Sequence, residues 1–361
     1  MSVSLSQREK EREIRSAFGA YFHSKDNAIL VATVSIDKPV NERRLQRALD
    51  QLQRLEQEIG RALVGQRQVV REVIVAVAAA GHVLVEGLPG MGKTLLVRSL
   101  ARAVGGRYSR IQFTPDLMPS DVTGHAMFDM KSESFRIRRG PVFCNLLLGD
   151  EINRAPAKTQ SAMLEAMQEQ QVTIEGQALP LERPFLVLAT QNPIEQEGTY
   201  PLPQAQLDRF LLKVFIDYPD ADEELAVVRR ITGGQVGDQL DVSGVEPVMT
   251  AEEVLELQLV TARLPLDDSI LDYAVRIVRA TRDRQGIETG AGPRASIALV
   301  RAARAHGMVG GQGCVTPDDI KAIAPAVLRH RIKLTADLEI EGYRPDEVLA
   351  ELLADVAAPR S

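Results

Sequence analysis

The chain has 361 residues and a net charge of −6, its 49 acidic and 43 basic residues interspersed. That length exceeds one typical domain, and the charge pattern lacks the basic footprint of a dedicated nucleic-acid binder. The two cysteines, Cys144 and Cys314, are far apart, which argues against a disulfide framework or a zinc site and for a reducing, cytoplasmic setting. The longest apolar runs, 28–36 and 73–80, fall short of the roughly 20 residues that cross a bilayer, so no membrane insertion is expected.

Residues 1–40 read as an N-terminal extension. From Asn41 onward, Leu45, Leu49, Leu52, Leu55, Ile59 and Leu63 recur at spacings of three and four, one face of a helix. Val69, Val70, Val73, Ile74 and Val77 mark a second helix. His82 to Glu86 then reads as a short buried strand running into glycine-rich sequence. The same strand pattern returns at 110–113, 145–149, 185–189 and 211–216, separated by helical or turn-rich segments. This alternation predicts an α/β domain over 41–220, a parallel sheet between helices. Segments 124–143 and 171–181, the latter turning at Glu175-Gly176, predict hairpins inserted into that core. Beyond Tyr218-Pro219-Asp220 the strand signal stops. Helices at 267–282, 294–306 and 317–329 predict a second, all-α domain over 221–361, with Thr316 as N-cap and Pro317 at the first helical position.

Gly87-Leu-Pro-Gly-Met-Gly-Lys-Thr94 fits G-x-x-x-x-G-K-[ST] and stands where the pattern carries chemistry, after a strand and before a helix. Gly87, Pro89, Gly90, Met91, Gly92, Lys93, Thr94 and Leu95 are therefore candidate phosphate-binding residues. The glycines let backbone amides turn inward, Lys93 reaches the β and γ phosphates, and Thr94 holds Mg²⁺. The run Leu146-Leu-Leu-Gly-Asp-Glu151 delivers two carboxylates at the end of an apolar strand, the edge where open α/β sheets bind ligands. Asp150 is the candidate metal ligand and Glu151 the residue that orients and activates the attacking water. A glycine-rich turn and a solvated acidic turn are the plainer readings of each motif alone; side by side the two motifs support one another.

These motifs, with Asp150-Glu-Ile-Asn-Arg-Ala-Pro-Ala-Lys-Thr-Gln160, Ala189-Thr-Gln-Asn-Pro193 and Ala205-Gln-Leu-Asp-Arg-Phe210, resemble the MoxR family of AAA+ ATPases over residues 45–335. The resemblance implies a P-loop NTPase core followed by a helical lid, with ATP and Mg²⁺ as cofactors. It implies Asn192 as a sensor of the γ-phosphate or the water, although Asn192-Pro193 is also a common turn. It implies Arg209 as the arginine finger acting on a neighbouring subunit's nucleotide, the plainer alternative being an ion pair with Asp208. Arg294 matches the second sensor, acting within its own subunit or on a neighbour, with Gly292 standing where the family has serine. Val64, Gly65 and Gln66 match the adenine-contacting segment, or form a plain interhelix turn. Arg154 either senses the subunit interface or pairs with a nearby acid.

As implied partners, the resemblance gives further copies of this chain in a ring, a hexamer by family expectation, a protein client, and a protein with a von Willebrand factor A domain. That domain's D-x-S-x-S pattern does not occur in this chain, so such a partner is a separate polypeptide. A chelatase-type motor, a nucleic-acid translocase and an ATP-gated assembly switch with little catalysis are the competing readings. The five histidines show no metal-ligand spacing, Cys144 reads as a small buried hydrophobe, and the basic stretch 136–139 reads as surface.

Overall fold

A computed structural model describes residues 41–359 except Pro89, Ser132, 193–198 and 233–241; Arg230 and Ile231 are described by backbone alone. The expected extension 1–40 lies outside the described residues. The described residues form one compact unit.

The first helix, α1 (Glu42–Ala62), starts at Asn41, whose side chain accepts from the Arg44 amide and so satisfies one of the orphan donors of the first turn. Its apolar face, Leu52, Leu55 and Ile59, is fully buried. After α2 (Arg67–Ala78) come β1 (Val83–Gly87) and α3 (Lys93–Ala103), then β2 (Tyr108–Gln112) and the one-turn α4 (Pro119–Thr123). The first hairpin is β3 (Gly124–Asp129) with β4 (Ser134–Arg139), paired Gly124 to Arg139. Next are β5 (Leu146–Asp150), a 3₁₀ turn at Ile152–Arg154 and α5 (Ala157–Glu169). The second hairpin is β6 (Gln171–Ile174) with β7 (Gln177–Pro180), turning at Glu175 and Gly176, both at positive φ. β8 (Leu186–Gln191), the single-turn α6 (Gln204–Leu207) and β9 (Leu212–Ile216) complete the core.

The five core strands form one parallel sheet ordered β2-β5-β8-β1-β9. β5 is buried along Leu146–Gly149 and β8 along Leu186–Thr190, as strands covered by helices on both faces must be. Parallel order places every C-terminal strand end on one edge, so Gly87, Asp150 and Gln191 line up there.

The C-terminal region contains α7 (Ala221–Thr232), α8 (Ala251–Ala262), α9 (Asp268–Asp283), β10 (Ile287–Thr289), α10 (Pro293–Val309), α11 (Pro317–Leu328), β11 (Lys333–Leu334), α12 (Ala336–Ile340) and α13 (Pro345–Asp355). Among the described residues its regular structure is helical apart from the two-stranded antiparallel ribbon β10–β11, which the expectation of an all-α domain does not include. Helices α7, α8, α12 and α13 were also not foreseen. Arg301 of α10 donates to the carbonyls of Ala79 and Ala80 at the C-terminus of α2 (2.6 and 3.1 Å), where unpaired carbonyls await donors.

Candidate nucleotide site

The phosphate loop is shaped by glycines that a side chain could replace only with backbone strain or a clash. Gly90 and Gly92 have φ of +83° and +77°, the left-handed region, and a Cβ on Gly87 would stand 2.6 Å from the Ile216 carbonyl oxygen of β9. The first amide bond inside α3 runs from Leu96 to Gly92, leaving the amides of Lys93, Thr94 and Leu95 without partners in the helix. Lys93 bends back over the loop, its Nζ donating to the Gly87 carbonyl at 2.5 Å. Burial lowers its pKa; the negative charges of Asp150, Glu151 and Glu86 oppose that shift and mark the groups it faces. Glu86 is itself paired with Lys213 at 2.8 Å.

Asp150 and Glu151 follow one another off β5, and Glu151 sits at φ +57°, an unusual conformation for a non-glycine residue that turns consecutive side chains apart. A closed ring of hydrogen bonds holds the two. Asp150 Oδ2 accepts from Arg110 Nη2 (2.6 Å) and Oδ1 from Thr190 Oγ1 (2.6 Å). The Glu151 amide donates to the same Thr190 oxygen (2.9 Å), Glu151 Oε2 accepts from Gln112 (2.8 Å), and Gln112 Oε1 accepts from Arg110 (3.0 Å). Arg154 pairs with Glu151 Oε2 at 3.0 Å, the ion-pair alternative for that residue. Arg110, Gln112 and Thr190 were not among the expected site residues. The available signal was the alternation along β2, where Gln112 stands beside Asp150 in register.

Asn192 is buried and directly follows β8, which pairs with β1 up to Glu86 and Gln191, so it stands beside the phosphate loop. Val64 and Gly65 line a cleft of about 780 Å³ between α1 and the C-terminal end of α10, with Gln53, Glu56, Met308 and Gly310. Leu63, on the same cleft, contacts Gly92 closely enough that a Cβ there would lie 2.8 Å from Leu63 Cδ1. The adenine-contacting candidates therefore adjoin the phosphate loop. Gln66 turns away, its Nε2 donating to the Asp217 carbonyl (2.9 Å). Met91 packs against the main core, and Thr94 and Leu95 are half-buried in the first turn of α3. Pro89 lies outside the described residues.

Two candidates stand apart from this group. Arg209 donates to the Leu164 carbonyl of α5 (2.7 Å) and does not pair with Asp208, whose carboxylate is taken by Arg331 at 2.8 Å. Arg294 is exposed at the second position of α10, and Gly292 before it is an N-cap with no side-chain bond, as the missing serine predicts. Cys144 is buried, its thiol pushed up to about 12 by desolvation, and is no nucleophile. No cluster of three or more potential metal-ligating His, Cys, Asp or Glu side chains occurs among the described residues.

The donor set fits an anionic phosphate chain: three helix-terminal amides with no partner inside the helix, a lysine and a loop with no side chain in the way at Gly90. A hard divalent cation would find oxygen ligands in Thr94 and Asp150. Residues 82–212 match the family described as "ATPase family associated with various cellular activities (AAA)", and residues 279–352 match the AAA lid domain. Chaperone MoxR1 of Mycobacterium tuberculosis is 44% identical over 84% of this chain and 81% of its own length. Protein MoxR of Methylorubrum extorquens is 31% identical over 85% and 94%. A crystal structure from Cytophaga hutchinsonii, of a protein classed as an ATPase, superposes with a TM-score of 0.81 at 39% identity, covering 88% of this chain and 98% of that one. The chain belongs to the MoxR family of AAA+ ATPases. It is accordingly of a chaperone-type, ATP-hydrolysing family, and its residues 279–352 correspond to the AAA lid domain. Among the described residues no helix is long and apolar enough to cross a membrane.

Proposed function

We propose that the chain is a ring-forming ATPase that couples ATP hydrolysis to remodelling or activating a protein client, together with a separate protein carrying a von Willebrand factor A domain. The observation that carries the hydrolytic part is the hydrogen-bonded ring fixing Asp150 and Glu151 on the strand edge that also presents Lys93. In this reading Lys93, the amides at the start of α3 and Thr94 hold the phosphates. Asp150 and Thr94 hold Mg²⁺, which when bound neutralises phosphate charge. Glu151 orients the attacking water and takes its proton, Asn192 fixes that water or the γ-phosphate, and Arg209 reaches the neighbouring subunit's nucleotide. Arg294 reports nucleotide state to the lid. A MoxR relative named a chaperone supports a protein client, and the net charge of −6 disfavours nucleic acid.

The test is Glu151→Gln. Turnover should fall by roughly 10² to 10⁴, the usual contribution of a general base, with ATP still bound. Equal turnover in the variant would remove Glu151 from the chemistry. Loaded with ATP and used as a trap in native cell extract, the variant should retain a von Willebrand factor A-type protein and its client, identified by mass spectrometry. Recovery of nucleic acid or of chelatase subunits instead would move the protein to one of the competing readings.

A further inference from the structure

Arg209 sits on the short connection between α6 and β9, and the lid of the same chain grips that connection on both sides of it. Arg331, just past α11 and 4% exposed at its side chain, pairs through Nε with Asp208 Oδ1 at 2.8 Å. The rest of its guanidinium donates to the carbonyls of Phe210 (2.5 Å), Leu211 (3.1 Å) and Asp208 (3.4 Å), and to that of Val327 in the last turn of α11. The adjacent His330 is buried; desolvation, with the charge of Arg331 beside it, pushes its pKa well below the ordinary value. As a neutral ring it donates from Nε2 to the Phe210 carbonyl at 3.0 Å. Gln204 answers from the core, its Nε2 donating to the His330 carbonyl (2.7 Å). The residues immediately before and after Arg209 are thus fixed by one lid element.

A guanidinium is a rigid planar fork, so spreading it over carbonyls 208, 210 and 211 fixes the orientation of that backbone as well as its position. Burying such a charge for packing alone is unfavourable, since an apolar side chain fills space without desolvation. The lid is meanwhile joined to the other side of the molecule, where Met308 and Gly310 of α10 and its C-terminus line the cleft beside Gly65. Among the described residues Arg209 is held by the Leu164 carbonyl alone and its Nε finds no partner, so its direction depends on the connection that carries it.

We infer that Arg331 is a positioning residue that makes the aim of Arg209 follow the lid of its own chain, so that the nucleotide state of one subunit sets the finger offered to the next. This rests on the reading of Arg209 as a finger acting across subunits.

Two separately inactive variants, mixed, test both layers. Arg209→Ala keeps its own Glu151, and Glu151→Gln keeps its own finger, so their mixture should regain turnover if Arg209 acts in trans. Arg331→Met should lose turnover on the order of 10²-fold, the effect of misplacing a catalytic group by about an ångström. Its affinity for a fluorescent ATP analogue should not change, and mixing it with Glu151→Gln should restore turnover as Arg209→Ala does. Asp208→Asn keeps the carbonyl contacts and should show a smaller loss with the same rescue; it decides the matter if Arg331→Met does not fold. Unchanged turnover, or a loss that Glu151→Gln cannot rescue while it does rescue Arg209→Ala, overturns the inference and leaves the proposed function standing. Failure to rescue Arg209→Ala removes the trans reading and the inference with it.

Discussion

His82 stands one residue before β1 and joins three segments: its Nδ1 accepts from the Val187 amide (3.0 Å) and its Nε2 faces the Met167 carbonyl (3.1 Å). Only the neutral ring with hydrogen on Nε2 satisfies both, and burial lowers its pKa to about 4 from 6.5. Between those values the unfolded chain binds a proton that the folded chain refuses, so stability falls as the pH falls. The displacement corresponds to roughly 3 kcal/mol, complete once the pH is below about 4. Urea midpoints measured from pH 7 to pH 4 should show this slope, and His82→Gln should flatten it; an unaltered slope would clear His82. His330, held neutral in the same direction, leaves a residual dependence in that variant. The same contrast between local and distant information governs the nucleotide site. Lys93, Asp150 and Glu151 were legible because each belongs to a contiguous motif. Arg110, Gln112 and Thr190 were not, because their partners lie about forty residues away and meet them only through the strand order.

Helix ends show what a sequence can and cannot announce about an element. Thr316 begins α11 as expected: its side chain accepts from the Asp319 amide while Asp319 answers to the Thr316 amide, a reciprocal box. Thr316→Ala should cost about 1 kcal/mol, read from the urea midpoint, and a change near zero would mean that Asp319 holds the turn without it. Thr250 makes the same box with Glu253 at the start of α8, a T-x-x-E signal that stands in the sequence and that the reading of the chain did not use. Gly292 is the contrasting case. A Cβ there meets nothing within 4 Å and its φ is −79°, so Gly292→Ser should stabilise α10 by a few tenths of a kcal/mol, and a loss would point to a clash not seen here. The ribbon β10–β11 was illegible because two or three residues cannot display a period.

For the molecule as a whole, the parallel sheet and its two hairpins followed from alternating patterns, whereas the seating of the lid depends on contacts between residues over a hundred positions apart. If Arg209 completes a neighbour's site, turnover per subunit should fall steeply on dilution, because separated chains lack that charge. A flat profile over a wide range of protein concentration would argue for self-sufficient monomers.

The order of the sheet also has a consequence in time. β1 stands in the interior, but its neighbours are β8 and β9, about a hundred residues later in the chain. During synthesis the glycine loop therefore emerges early and waits for both walls, and the Ile216 carbonyl that presses on Gly87 is the last of them. Long-range parallel pairing is slow and leaves strand edges open meanwhile. In a growing chain of this order the sheet can close around the glycine loop only after residue 216 has been made.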